Sequence, residues 1–341
     1  MSKKNRRRSH KANPLKRVGL VCCGLAAVIL LGLLMSSVLE SRLSAPIENA
    51  GHRMTAYIAH RKGEQVFMNG KWHVGRNLDT LLVIGVDNFG QMQGSISYNN
   101  SGQADFLALF IRDKDSGERA VIHLNRDAMT DIPVLGVTGQ KAGTTYGQLA
   151  LAFNYGRGQH DSCKNVVDAV SHLLYGVEID HYIAVTMDAV PIVNDWAGGV
   201  TVEVLEDFTG IDDTLKLGSM VKLQGDRALT YVRTRMGLED STNLNRMKRQ
   251  RQYAAAWMEK ARPKLQDAAA IADLVLSIEP YNHTNCTAEQ LAAFGEMLTS
   301  NENLPNYELP GQSVQGEVYM EYHVDDQALA DIVLDLFYVP V

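Results

Sequence analysis

The most restrictive feature of the sequence is an uncharged apolar run near its beginning. Residues 18–39 read VGLVCCGLAAVILLGLLMSSVL, which is 22 residues without a charged side chain. A helix of about 20 such residues spans the hydrocarbon core of a bilayer. We therefore predict one transmembrane helix over residues 18–39.

The charges that flank this run predict its orientation. Residues 1–17 carry eight Lys or Arg and no acidic residue, and Glu40 follows the run. Because basic flanking segments stay on the cytoplasmic side, we expect a cytoplasmic tail and an extracellular body. A cleaved signal peptide is the alternative. It fits less well, since the run exceeds the usual apolar region of a signal and no small-residue cleavage site follows.

The body that follows the run is acidic. The whole chain has a net charge of −6, so residues 18–341 sum to −14 once the eight basic residues of the tail are removed. Nucleic-acid binding requires a broad cationic surface. The charge balance therefore excludes a general nucleic-acid-binding function.

The two cysteines of the body, Cys163 and Cys286, leave two alternatives open. An oxidising exterior permits a disulfide between them. Cys163 also shares a helical stripe with Val166, Val167 and Val170, which is typical of a buried free thiol. The sequence alone favours neither.

The order of the predicted elements indicates an α/β fold. Continuous apolar runs predict buried strands at residues 80–87, 104–113 and 119–127, after which helices and strands alternate. The predicted segments are a basic tail (1–17), a transmembrane helix (18–39), a stalk with a short hairpin (40–77), an α/β domain (78–262) and a small αβ extension (263–341).

Two carboxylates are the first candidate site residues. Asp87 comes at the end of a predicted strand and Asp105 lies near the start of the next one. Converging carboxylates suit Mg²⁺, which usually takes one or two of them together with phosphate oxygens and waters. Asp is also common wherever strands stop, so a purely structural role is the alternative.

Arginines in three separate segments indicate an anion site. The guanidinium group binds phosphate through a planar fork and stays charged. Arg233 and Arg235 share a face of an extended segment, and Arg246, Arg249 and Gln250 share one side of a helix. The third segment contributes Arg126, which lies at the end of a predicted strand. Without a bound anion we expect these arginines to repel one another, with the carboxylates offsetting only part of the charge.

A set of motifs in a fixed order then identifies a family resemblance. The motifs are IGVD (84–87), QADFLALF (103–110), HLNRDAMTDIP (123–133), GVEIDHYIAV (176–185), DAVPIVNDWAGGVTVEV (188–204), LQGDRALTYVRTR (223–235) and NRMKRQRQ (245–252). Together they resemble the LytR-CpsA-Psr family of bacterial cell-wall proteins over residues 78–262. The ordered set is specific, whereas a single motif would be weak.

The resemblance implies a fold and a set of site residues. The fold is an α/β/α sandwich with a central mixed sheet, whose pocket holds a polyprenyl diphosphate with its lipid tail in an apolar tunnel. Asp87 and Asp105 match residues that hold Mg²⁺, with Mn²⁺ as the alternative metal. The residues implied to bind the diphosphate are Arg126, Arg233, Arg235, Arg246, Arg249 and Gln250. Gln103 also belongs to this site, but it stands where the family usually has Arg.

The implied activity is transfer of a glycopolymer from a polyprenyl diphosphate carrier to peptidoglycan, on the outer face of a Gram-positive type cell membrane. A polyprenyl diphosphate phosphatase side activity is the accompanying expectation. The alternative is a non-catalytic binder of anionic polyprenyl lipid or cell-wall polymer. A membrane-bound transcription regulator is disfavoured, because a tail of 17 residues is too short for a folded DNA-binding domain.

Overall fold

The computed structural model describes most of the chain from residue 62 onward. The described residues are 62–68, 70–94, 102–136, 139–234, 238, 243–264, 267–287, 290–291, 293–294 and 304–341. The predicted tail, transmembrane helix and most of the stalk lie outside them, as does Arg235. Among the described helices, none is both long and apolar enough to cross a membrane.

Strands and helices alternate along the described residues. The strands are β1 Gln65–Met68, β2 Lys71–Gly75, β3 Leu78–Val86, β4 Ala104–Asp113, β5 Arg119–Leu124, β6 Met129–Leu135, β7 Lys141–Gln148, β8 His181–Thr186, β9 Val200–Glu203, β10 Met220–Leu223, β11 Asn282–Thr284, β12 Asn306–Glu308, β13 Gly311–Gln315, β14 Met320–Val324 and β15 Tyr338–Pro340. The α-helices are α1 His160–Leu173, α2 Ala189–Trp196, α3 Asp226–Arg233, α4 Asn243–Ala261, α5 Ala268–Ile278 and α6 Asp326–Phe337. The 3-10 helices are Leu149–Phe153 and Glu279–Tyr281.

The fold is built on a mixed six-stranded sheet. Its strand order is β11-β8-β3-β4-β5-β12. β3 pairs parallel with β8 and antiparallel with β4, and β4 pairs antiparallel with β5. The predicted mixed central sheet with flanking helices is confirmed.

Each face of the sheet packs against its own hydrophobic core. Successive side chains of β3 alternate, so Leu81 and Val83 enter the first core while Leu82 and Ile84 enter the second. Helices α2, α3, α4 and α5 contribute to the first core, and α1 and α6 contribute to the second. Burial on both faces explains why β3 and β4 are continuous apolar runs rather than alternating ones.

The region from residue 263 onward, predicted as a small αβ extension, contributes strands to the central sheet. β11 pairs with β8 and β12 pairs with β5, so this region supplies both edge strands of the central sheet. β15 pairs with β2, and α6 packs into the same core as α1. Edge strands of three residues carry too little periodicity to be predicted from sequence.

Cys163 and Cys286 are both free thiols. Cys163 on α1 is fully buried in the second core, whereas Cys286 packs against the first core on the other side of the sheet. This separation is the reason that the disulfide alternative is not realised. Burial raises the pKa of Cys163 far above its ordinary value and raises the pKa of Cys286 to about 11.

We expect the two thiols to react at very different rates. In the native protein, iodoacetamide should alkylate the partly exposed Cys286 much faster than Cys163, because only an accessible thiolate reacts. In denaturant without reductant, peptide mass spectrometry should find both alkylated. The variant Cys286→Ser should lose the fast alkylation of the two and keep the slow one, which assigns the slow reaction to Cys163. A pair that resists alkylation in denaturant until it is reduced would contradict the structure.

Candidate active site

Antiparallel pairing gathers the predicted site residues at one edge of the central sheet. Asp87 directly follows β3, and Asp105 is the second residue of β4. The N–H group of Asp87 donates to the carbonyl of Gln103 at 2.8 Å, just beyond the last paired residues of the two strands. Arg126 follows β5, whose end lies beside the start of β4.

Asp105 is a buried carboxylate that two arginines share. Its Oδ1 atom pairs with Nη1 of Arg126, and its Oδ2 atom accepts from Nη1 of Arg246 at 2.8 Å. Arg246 also donates through Nη2 to the main-chain carbonyl of Asp105 at 3.3 Å. The side chains of Asp105 and Arg246 are only 5% and 3% exposed, so water screens this interaction weakly.

Arg126 has one further hydrogen-bond acceptor and one further carboxylate neighbour. Its Nη2 atom donates to Oε1 of Gln103 at 2.6 Å, and its Nε atom lies 3.3 Å from Oδ1 of Asp127. Arginine has no acceptor atom, so an arginine at position 103 could not make this contact. The glutamine at position 103 therefore orients Arg126, and the geometry favours the same orienting role for Asp127.

Arg233 forms the exposed part of the site. It is the last residue of α3, and its Nη2 and Nε atoms lie 2.8 and 3.0 Å from Oδ1 of Asp87. Its guanidinium carbon lies 4.8 Å from the centre of the Phe89 ring. The two charged side chains are 39% and 29% exposed, so this ion pair is broken more easily than the buried pairs of Asp105.

The expected repulsion among the arginines is relieved by ion pairs. Arg126 and Arg246 pair with Asp105, and Arg233 pairs with Asp87. The two carboxylates thus offset part of the charge of the three described arginines.

A cavity that opens to solvent adjoins this cluster. Its walls are mostly apolar, and its polar end is formed by Asp105, Arg233, Arg246 and Gln250. The main apolar lining residues are Val83, Phe106, Val185, Met187, Val190 and Val232. An apolar chain with an anionic head would match this division.

Gln250 and Arg249 have separate roles although they are adjacent on α4. Gln250 lines the cavity and donates to the carbonyl of Val232 at 3.2 Å. Arg249 instead pairs through Nε with Glu206 at 2.6 Å and donates to the carbonyls of Tyr231 and Thr234. The structure thus places Arg249 as a support for the end of α3, outside the lining of the cavity.

Burial lowers the pKa of two side chains near the cluster. Burial lowers the pKa of Arg249, and the attraction of Glu206 opposes this shift. Burial lowers the pKa of His123 to about 3, assisted by the charges of Arg251 and Arg246. His123 is therefore neutral at physiological pH.

The carboxylates fit a metal only together with a phosphate ligand. The described part of the chain contains no group of three or more His, Cys, Asp or Glu side chains that could hold a metal ion. Asp87 and Asp105 are a pair of oxygen donors, which Mg²⁺ accepts when phosphate oxygens and waters complete its shell. The donor set therefore fits Mg²⁺ beside a diphosphate.

Sequence reasoning missed Glu206 and Phe89. Glu206 lies in the loop after β9 and Phe89 in the loop after β3, where no periodic pattern marks a residue as functional. An aromatic residue two positions after the candidate metal ligand Asp87 was the available signal for Phe89.

Comparison with known proteins identifies the family of the chain. Residues 45–336 match the LytR_cpsA_psr family. The chain belongs to the LytR-CpsA-Psr family. The match extends well past residue 262, in agreement with the structural continuity of the C-terminal region.

Members and structural relatives of the family resemble the chain to different extents. The polyisoprenyl-teichoic acid–peptidoglycan teichoic acid transferase TagU of Halalkalibacterium halodurans is 28% identical over 199 residues, which is 58% of this chain and 58% of the relative. B. subtilis TagU is 22% identical, with a TM-score of 0.52 over 76% of this chain and 96% of the relative. The protein gbs0355 of Streptococcus agalactiae is 19% identical, with a TM-score of 0.61 over 76% and 86%. TagT, in a structure bound to LI-WTA, is 18% identical, with a TM-score of 0.55 over 82% and 97%.

Replacing Asp105 should destabilise the protein far more than replacing Asp87. The variant Asp105→Asn leaves two buried guanidinium groups without their carboxylate, which should lower the free energy of unfolding by about 3–5 kcal/mol. The matched variant Asp87→Asn breaks a partly exposed pair and should cost about 0–1 kcal/mol. Urea denaturation measures both, and equal effects would show that the shared carboxylate does not organise the site.

Proposed function

We propose that this protein is a phosphotransferase that moves a glycopolymer from a polyprenyl diphosphate carrier to peptidoglycan. The observation that carries the proposal is the apolar cavity that ends at Asp105, Arg233 and Arg246. A polyprenyl chain would lie along the apolar walls, with its diphosphate at the arginines. Family membership, the name of the TagU relative and the LI-WTA bound to TagT are consistent with this substrate class.

In the proposed reaction, a peptidoglycan hydroxyl attacks the phosphorus that carries the glycopolymer. A new O–P bond forms while the bond from this phosphorus to the bridging oxygen breaks, and polyprenyl monophosphate leaves. The hydroxyl proton passes to solvent or to the leaving phosphate. Such transfer depends mainly on positioning and on neutralising charge. Arg126, Arg233 and Arg246 would supply that neutralisation.

Asp87 and Asp105 would hold Mg²⁺ or Mn²⁺, which neutralises phosphate charge when bound. Both carboxylates are paired with arginines in the described structure. A diphosphate would draw the arginines onto its oxygens and free the carboxylates for the metal. Metal and diphosphate should therefore strengthen each other's binding, and linkage requires this effect to be reciprocal.

Calorimetric titration with a soluble short-chain polyprenyl diphosphate tests this site. The variant Arg233→Ala should weaken binding by about 1.5–3 kcal/mol for each charged hydrogen bond lost. Arg227→Ala is the matched control, because Arg227 lies on the same helix, is also 39% exposed and also pairs with an aspartate. Mg²⁺ should tighten wild-type binding, whereas Asp87→Asn, which breaks only a partly exposed pair, should lose the Mg²⁺ effect and retain part of the diphosphate affinity. Unchanged binding by Arg233→Ala would refute the proposed diphosphate site.

Product analysis separates an enzyme from a non-catalytic binder. The protein, incubated with a glycan-bearing polyprenyl diphosphate, peptidoglycan and Mg²⁺, should release polyprenyl monophosphate in proportion to the glycan attached to the wall. Tight binding without release would identify the binder. Release without acceptor would reveal the phosphatase side activity.

We further propose that residues 18–39 anchor the chain in the cell membrane of a Gram-positive type bacterium, with the body outside. The 22-residue uncharged run and the basic tail before it support this topology. Protease added to intact protoplasts should digest the body and leave the tail protected. A body that is cut only after lysis would reverse the assignment.

A further inference from the structure

Phe89 is an exposed aromatic ring beside the candidate active site. It lies two residues after Asp87, and it is 55% exposed. The guanidinium carbon of Arg233 lies 4.8 Å from the centre of its ring, so Arg233 covers one face. The residue is more than half exposed in spite of this contact, so much of its surface remains accessible to a ligand.

The loop that carries Phe89 is fixed on both sides of the ring. The carbonyl of Asn88 accepts from the N–H of Met187 at 3.1 Å. The N–H of Gly90 donates to the carboxylate of Asp188 at 2.5 Å, and its carbonyl accepts from the hydroxyl of Thr186 at 2.9 Å. Gly90 has a φ of +83°, which L side chains rarely adopt. The ring is therefore presented to solvent by a tethered turn.

The position of Phe89 relative to the cavity indicates which part of a substrate it would meet. Arg233 lines the polar end of the apolar cavity, and Phe89 lies on Arg233 without lining the cavity itself. Arg233 thus lies between the apolar cavity and Phe89. A polyprenyl diphosphate placed with its lipid in the cavity and a phosphate on Arg233 would bring the next group, the sugar, to Phe89.

We propose that Phe89 is a specificity-determining platform on which the first pyranose of the glycopolymer stacks, and this inference rests on the proposed function. A pyranose presents a face of C–H groups, which packs against the electron-rich face of an aromatic ring. Arg233 covers the other face of Phe89, so a single phenylalanine would link diphosphate recognition to sugar recognition.

Two ligands and three variants of the full-length protein in detergent test this inference. The ligands are a short-chain polyprenyl diphosphate without sugar and the same diphosphate with one pyranose attached. The variants are Phe89→Ala, Phe89→Leu and Phe89→Trp. Position 89 is exposed, so each side chain can be accommodated. Circular dichroism checks that each variant is folded.

Phe89→Ala should weaken binding of the sugar-bearing ligand by about 3–10-fold and leave the sugar-free ligand within about twofold of wild type. Phe89→Trp should retain the affinity for the sugar, whereas Phe89→Leu should behave like alanine. Equal loss for both ligands would show that Phe89 acts only by positioning Arg233, and would overturn the inference. Retention by Phe89→Leu would point to lipid or membrane contact and would also overturn it.

Binding by the wild-type protein distinguishes a failure of the Phe89 role from a failure of the proposed function. If it binds the sugar-free diphosphate but no Phe89 variant discriminates between the ligands, only the role of Phe89 fails. If it binds neither ligand, the proposed function fails and the inference fails with it.

Discussion

A single buried carboxylate, Asp105, connects the parts of this structure that form the site. It joins the start of β4 to Arg126 after β5 and to Arg246 on α4. A buried charge that loses its partner is strongly destabilising, so these three segments are held in one arrangement. The same contact keeps the guanidinium groups of Arg126 and Arg246 close together, and Arg246 lines the cavity beside them.

A second buried ion pair supports this arrangement from behind. Arg249 pairs with Glu206 and binds the carbonyls of Tyr231 and Thr234, on either side of Arg233. Two arginines three residues apart on α4 thus serve different neighbours. Arg246 enters the site, whereas Arg249 fixes the helix end from which Arg233 reaches Asp87.

Sequence patterns predicted the location of the site better than its internal pairing. Apolar runs that end in polar residues correctly placed Asp87 and Asp105 at adjacent strand ends, because pairing in a sheet is a regular, local rule. Helical spacing grouped Arg246, Arg249 and Gln250 on one side of α4. Helical spacing could not show that Arg249 forms an ion pair with Glu206, since Glu206 lies in an irregular loop far away in the sequence. The edge strands β11 and β12 were missed for a related reason, as their position depends on long-range contacts.

The pairing of β15 with β2 has a consequence for how the chain acquires its structure. Arg76 donates to the carbonyl of Tyr338, which is 262 residues further along the chain, and β12 joins β5 across a shorter but still long interval, with Asn306 paired to Val121. Contacts between such distant residues form slowly, because a large loop must close before they contribute. Until residues 304–341 arrive, β5 and β2 present open hydrogen-bonding edges, which are templates for aggregation. β12 and β15 cover these two edges, and each is a strand of only three residues, which offers little surface for pairing with another chain.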